Sequence, residues 1–172
     1  SMPISSRVGS TYAAGAAGQI LSFDAASGKI VGRIDSKVAL SGGVGTNGSV
    51  ILAGTAKGEV LAQDKSGKPL WKAQLSSEVL SAPQIDQGVV VVRSGDGRIF
   101  GLDAATGARK WLYQRALPTL TVRSHAGVLV YRGGVFVGFA GGRLVALALE
   151  NGNVGWEATV ALPKGATELE RV

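Results

Sequence analysis

Cysteine is absent from the 172 residues, and histidine occurs once. Without thiols there is no disulfide framework and no thiolate metal site. A single imidazole, His125, excludes a histidine-based metal cluster. Aromatic residues make up only 6% of the chain, so its core has to be aliphatic, built from Val, Leu, Ala and Ile. Charged residues are few as well, at 17%, against 45% hydrophobic, a balance too apolar for disorder. No apolar run approaches the ~18 residues of a membrane-spanning helix. Lys and Arg outnumber Asp and Glu 18 to 12, a net charge of +6, yet no three cations are consecutive. Dispersed charge of that kind fits a soluble domain better than a nucleic-acid or membrane patch.

What the chain has in quantity is glycine, 26 residues of it, and the glycines are ordered. Residues 89 to 111, VVVVRSGDGRIFGLDAATGARKW, show the unit. A β-branched run is followed by a Ser-Gly-Asp-Gly turn, a short strand, an Asp-Ala-Ala-Thr-Gly turn and a strand holding Trp111. Glycine enters the left-handed region without steric cost and Asp tolerates it, which is hairpin chemistry. No apolar stripe at helical spacing competes. The first-turn glycine recurs at Gly18, Gly58, Gly97 and Gly142, and the second-turn glycine at Gly28, Gly67, Gly107 and Gly152. Four residues after the second glycine stand Gly32, Trp71, Trp111 and Trp156. A period near 40 made only of strands and turns predicts an all-β chain, a β-propeller with four antiparallel strands per blade.

One interval departs from the period. Trp71 to Trp111 is 40 residues, Trp111 to Trp156 is 45, and the extra five fall between Trp111 and about Gly134. A lengthened loop in a regular repeat is where function is grafted. It holds Leu117, Leu120, Val122, Arg123 and His125. Apolar residues beside one arginine suit a protein-docking hot spot. Leu120 and Val122 also fit an ordinary core-facing strand pair.

Catalytic patterns find little support. The serines have no His-Asp pairing for nucleophilic attack. Asp24, Asp64 and Asp103 recur with the blades and open turns, so they read as turn caps rather than catalytic carboxylates. SGGVGTNG, residues 41 to 48, lacks the Gly-Lys-Ser/Thr of a phosphate loop. No metal site and no cofactor are expected, and the chain reads as a non-enzyme.

The pattern G-x-[IVL]-x-[AG]-x-D-x-x-[ST]-G-x-x-x-W resembles the PQQ-like propeller repeat, in which the Trp docks each blade onto its neighbour. That resemblance implies structural roles for Trp71, Trp111 and Trp156. The tryptophans are followed by Lys, Leu and Glu, not by the Asp of a WD40 blade. Within the PQQ-like group, Leu120-Thr-Val-Arg123, residues 141 to 157 and Ala166 to Arg171 are similar to the BamB family. These are propeller lipoproteins of the bacterial outer-membrane β-barrel assembly machinery. The resemblance implies a non-enzymatic scaffold, lipid-anchored at the periplasmic face of the outer membrane. It implies binding to the POTRA domains of BamA through Leu120, Val122 and Arg123, with Val122 standing where the family motif has Leu. Unfolded outer-membrane proteins are the further partners it implies. The family's second contact loop, with two Asp residues, has no counterpart before Val172. Fragments of a PQQ-dependent dehydrogenase or of a PQQ-like sensor ectodomain are the alternatives.

The expected layout is a tag remnant and N-terminal segment at 1–7, Ser1-Met2 reading as the tag. A four-blade fragment over 8–160 follows, half of an eight-blade ring, with blades at about 8–35, 36–75, 76–116 and 117–160. Residues 161–172 form a truncated loop or an exchanged strand. The first blade is expected to lack its innermost strand, and a homodimer would close the ring.

Overall fold

A computed structural model describes residues 5–7, 10–115 and 127–160, with side chains described from residue 10 onward. Every regular element among these is a strand, and there are sixteen. The first sheet holds β1 (Ser5–Arg7), β2 (Ser10–Ala14), β3 (Gln19–Asp24) and β4 (Ile30–Asp35). The second holds β5 (Leu40–Thr46), β6 (Val50–Thr55), β7 (Glu59–Asp64) and β8 (Pro69–Gln74). The third holds β9 (Gln84–Asp86), β10 (Val89–Arg93), β11 (Ile99–Asp103) and β12 (Arg109–Tyr113). The fourth holds β13 (Val128–Tyr131), β14 (Gly134–Phe139), β15 (Arg143–Ala148) and β16 (Val154–Thr159). Each is a four-stranded antiparallel meander in chain order. Successive innermost strands adjoin, β1 to β5, β5 to β9 and β9 to β13, so the sheets stand as consecutive propeller blades.

The first blade is complete, which corrects the expectation that it lacks a strand. Ser5, Ser6 and Arg7 pair with Tyr12, Thr11 and Ser10. Three polar residues carry no apolar alternation, so the strand leaves no trace in the hydrophobic pattern. With that place filled by the chain itself, no exchanged strand is needed there.

Burial follows from the twofold period of a strand, which sends alternate side chains to opposite faces. β10 is buried along its whole length. Val90 and Val92 pack with Leu52, Val60 and Ala62 of the second blade. Val89 and Val91 pack with Val128, Val135, Val137 and Val145 of the fourth. A third cluster, Tyr12, Ile20, Leu40, Val44, Ile51 and Ala53, joins the first two blades. The core is therefore three slabs between four sheets.

The outer strand pair bulges at one place in every blade. The register shifts after Ser22, Ala62, Gly101 and Ala146. Those residues pair with Gly32, Trp71, Trp111 and Trp156, the fourth positions after the turn glycines. A bulge re-aims the outer strand, here just where three blades carry an indole.

Candidate interaction surface

Strands of one direction end on one rim of the propeller. β10 ends there at Arg93, β12 at Tyr113, β14 at Phe139 and β16 at Thr159. Beyond Tyr113 the described chain runs to Arg115, and it resumes at Gly127, next to β13 of the fourth blade. Leu117, Leu120, Val122, Arg123 and His125 lie outside the described residues. What is described is the ground on either side of them.

That ground is a cluster of cations and aromatic rings at the joint of the third and fourth blades. The Arg93 guanidinium, on a residue only 6% exposed, donates to the Gly138 carbonyl at 2.8 Å and lies 5.0 Å over the Phe139 ring. Burial lowers its pKa from the ordinary arginine value. The Tyr113 ring tilts against Phe139 at 6.3 Å. Burial, with the nearby Glu157 carboxylate, raises the Tyr113 phenol above its usual value. Glu157 serves two guanidiniums, Arg115 at 3.3 Å and Arg143 at 3.6 Å. These pairs are partly exposed and contribute little stability. Their effect is to tie the chain just beyond β12 to the outer strand of the fourth blade.

Sequence reasoning passed over this cluster. Arg115 and Glu157 are 42 positions apart, and only the stacking of two blades brings them together. Arg93 did carry a signal, a cation closing a run of four valines that has no wet face.

The three tryptophans stand in two situations. Trp71 donates its indole N–H to the Ala104 carbonyl of the next blade at 2.9 Å, and Trp111 donates to Leu149 at 2.8 Å. Each ring lies over the turn glycine of that next blade, Gly107 or Gly152, where an added Cβ would stand 2.4 or 2.6 Å from the indole. Both glycines also hold positive φ, 75° and 73°, so the positions are closed to side chains twice over. Trp156, by contrast, is 47% exposed.

The turn aspartates satisfy their own loops. Asp103 accepts from the backbone N–H groups of Ala105 and Thr106 at 2.8 and 3.0 Å. Asp24 and Asp64 bind Ser27 and Ser66 through both hydroxyl and backbone N–H. Among the described residues, no three of His, Cys, Asp and Glu group as metal ligands would.

Residues 16–172 match the family model described as outer membrane protein assembly factor BamB. The BamB of Nitrosomonas eutropha is 52% identical over 164 residues, covering 95% of this chain and 40% of that protein. The crystal structure of BamB from Moraxella catarrhalis superposes with a TM-score of 0.82 at 31% identity, over 98% of this chain and 51% of that one. The quinohemoprotein alcohol dehydrogenase of Comamonas testosteroni superposes at 0.68 with 16% identity, a likeness of fold alone. The chain thus spans about half or less of the relatives it matches, and those relatives are named for assembly rather than for catalysis. It belongs to the BamB family of outer membrane protein assembly factors.

Proposed function

We propose that this chain works as a protein-docking scaffold in outer-membrane protein assembly, at the periplasmic face of the outer membrane. Its partner is BamA, bound through the POTRA domains. Leu120 and Val122 supply apolar anchors, and Arg123 supplies a charge-assisted hydrogen bond or ion pair. Unfolded outer-membrane proteins are the clients that such a scaffold serves, and a lipid anchor on the full-length protein holds it at the membrane.

The observation that carries this reading is the single lengthened interval of the repeat, between blades that are otherwise regular. It falls in a chain whose relatives are named as assembly factors. The rim beside it supports the reading, because Arg115, Arg143, Tyr113 and Phe139 add the residue types that concentrate at binding hot spots.

Calorimetric titration of the chain with the POTRA domains tests it. Arg123→Glu is expected to weaken binding about tenfold or more while leaving thermal stability within a few tenths of a kcal/mol, as a substitution that acts on binding alone would. Equal affinity for wild type and variant removes this loop from the interface.

A further inference from the structure

Of the three joints between blades, two are built alike. Trp71 lies over the Gly107 turn with its N–H on the Ala104 carbonyl, and Trp111 lies over the Gly152 turn with its N–H on that of Leu149. At the first joint Gly32 has the indole position, and Ile34 covers the Gly67 turn instead. The Ser22 hydroxyl oxygen lies 2.5 Å from where a Cβ on Gly32 would be. That joint therefore supplies neither a ring nor a ring N–H of its own.

What it holds instead is a buried acceptor. Along β7, Val60 and Ala62 pack with the third blade, so alternation turns Leu61 and Gln63 toward the first. Gln63 is 6% exposed, and its side-chain oxygen has no hydrogen-bond partner among the described residues. The third and fourth blades have Leu102 and Leu147 at this position.

A groove of about 290 Å³ opens on the same side of the second blade, and both of its walls belong to this chain. One wall is the link between β4 and β5, with Ser36 and Val38, and the other is Leu61, Gln63, Leu70 and Lys72. The link is fixed in shape: the Ser36 hydroxyl donates to the Gly18 carbonyl at 2.7 Å, and the Lys37 N–H donates to the Asp35 carboxylate at 2.9 Å. Leu70 is the residue that the bulge of β8 leaves out of register, and it stands exposed with Val38 at the mouth, while Gln63 lies deep. Lys72 is already paired with Glu59 at 3.0 Å, so the groove calls for a neutral occupant. Small-molecule sites are of this kind, mostly apolar with a few placed polar groups, and begin at about 300 Å³.

We propose that this groove binds a small, neutral aromatic molecule of indole size that carries an N–H, with the Gln63 side-chain oxygen as its acceptor. The terminal torsion of glutamine is soft, so the oxygen turns to the groove readily. The ring packs on Val38, Leu61 and Leu70. Such a ligand brings to the first joint the ring and the donor that the protein itself supplies at the other two, and it pairs an acceptor that is otherwise buried unsatisfied. A polar group kept in an apolar slab against the pattern of its own repeat marks a functional position.

Calorimetric titration of the chain with indole, and with indene, the same fused rings without the N–H, tests the proposal. Indole is expected to bind with a dissociation constant on the order of 0.1 mM, and indene about tenfold more weakly. Gln63→Leu should invert that order, weakening indole about tenfold and favouring indene, in a chain that folds no less firmly. Val38→Trp fills the mouth and should abolish binding of both. Leu70→Asp, at an exposed position, takes its place if that variant does not fold, and should weaken both about tenfold. Absence of saturable binding at millimolar indole, equal affinity for indole and indene, or an indole affinity unchanged in Gln63→Leu overturns the proposal. Binding of a tryptophan-containing peptide where free indole fails also overturns it, because the groove would then be a docking site for a protein segment.

Discussion

Ile34 lies on Gly67, with its Cγ2 2.9 Å from where a Cβ on that glycine would be, and so takes over at the first joint the work that indoles do at the next two. The substitution is not equal in size or burial. Trp111 is 7% exposed and bonded to Leu149, Trp71 is half-buried, and Ile34 is a smaller half-buried side chain with no polar contact to make. Truncating a buried tryptophan costs about 3–5 kcal/mol, and a half-buried isoleucine about 1–2 kcal/mol. Urea unfolding should therefore rank the alanine variants Trp111, then Trp71, then Ile34 in order of decreasing loss. An Ile34→Ala loss equal to that of Trp111→Ala would show that the three joints do not differ in this way.

The same joint holds a second departure from the repeat. Gln63 stands where the third and fourth blades have Leu102 and Leu147, two positions into the slabs beneath Trp71 and Trp111. It is only 6% exposed, and its side-chain oxygen has no hydrogen-bond partner among the described residues. A buried acceptor left unpaired costs about 1–3 kcal/mol, which an isosteric apolar group avoids. Gln63→Leu is expected to stabilise the chain by about 1–2 kcal/mol and to raise its melting temperature. A lower melting temperature would mean that the oxygen is satisfied in solution.

These cases mark how far the residues could be read in order. The blades were legible because glycines with positive φ and large rings recur in register at a period no helix shares. The joints were legible only as positions: nothing in the sequence says that Trp71 reaches Ala104 or that Ile34 stands in for the missing ring at Gly32. Gln63 looks like any polar residue of a half-wet strand, and its burial comes from a neighbouring blade. β1 escaped because Ser5–Arg7 has no apolar face to reveal it. Of the segment proposed for docking, the sequence supplied the position through the 45-residue interval, and the pairing of Arg115 and Arg143 with Glu157 emerged only with the stacking of the blades.

The turn aspartates predict a specific response to acid. Hydrogen bonds from Ser27 and Ser66 hold the Asp24 and Asp64 carboxyls below the ordinary value of 3.8, and backbone N–H groups of Ala105 and Thr106 do so for Asp103. A folded-state pKa below the unfolded one means stability that is fully present above the unfolded value and lost as pH falls through the folded one. The contribution should be flat between pH 7 and 5, start to fall at about pH 4 and vanish only below the lowered folded-state pKa. Melting temperatures of wild type and Asp103→Ala should thus differ at pH 7 and converge at low pH. A gap that persists unchanged in acid would mean that the side chain acts by some route other than its charge.

Arg93 offers the last test, because it bonds the third blade to the fourth from a buried position. Its guanidinium donates to the Gly138 carbonyl and lies over Phe139, and the neighbouring ring of Tyr113 completes the wall. A charge-assisted hydrogen bond contributes about 1.5–3 kcal/mol, and a desolvated cation over a ring adds about 1 kcal/mol. Arg93→Ala is therefore expected to cost about 3 kcal/mol in urea unfolding with an unchanged denaturant slope. Lysine keeps the charge but not the planar fork that bonds and stacks at once, so Arg93→Lys should recover less than half of the loss. Because the group is buried, raising salt from about 0.1 to 1 M should leave the cost nearly unchanged, whereas exposed pairs are screened. Full recovery by lysine, or a cost that disappears in salt, would show that a diffuse surface charge rather than this fixed geometry ties the two blades together.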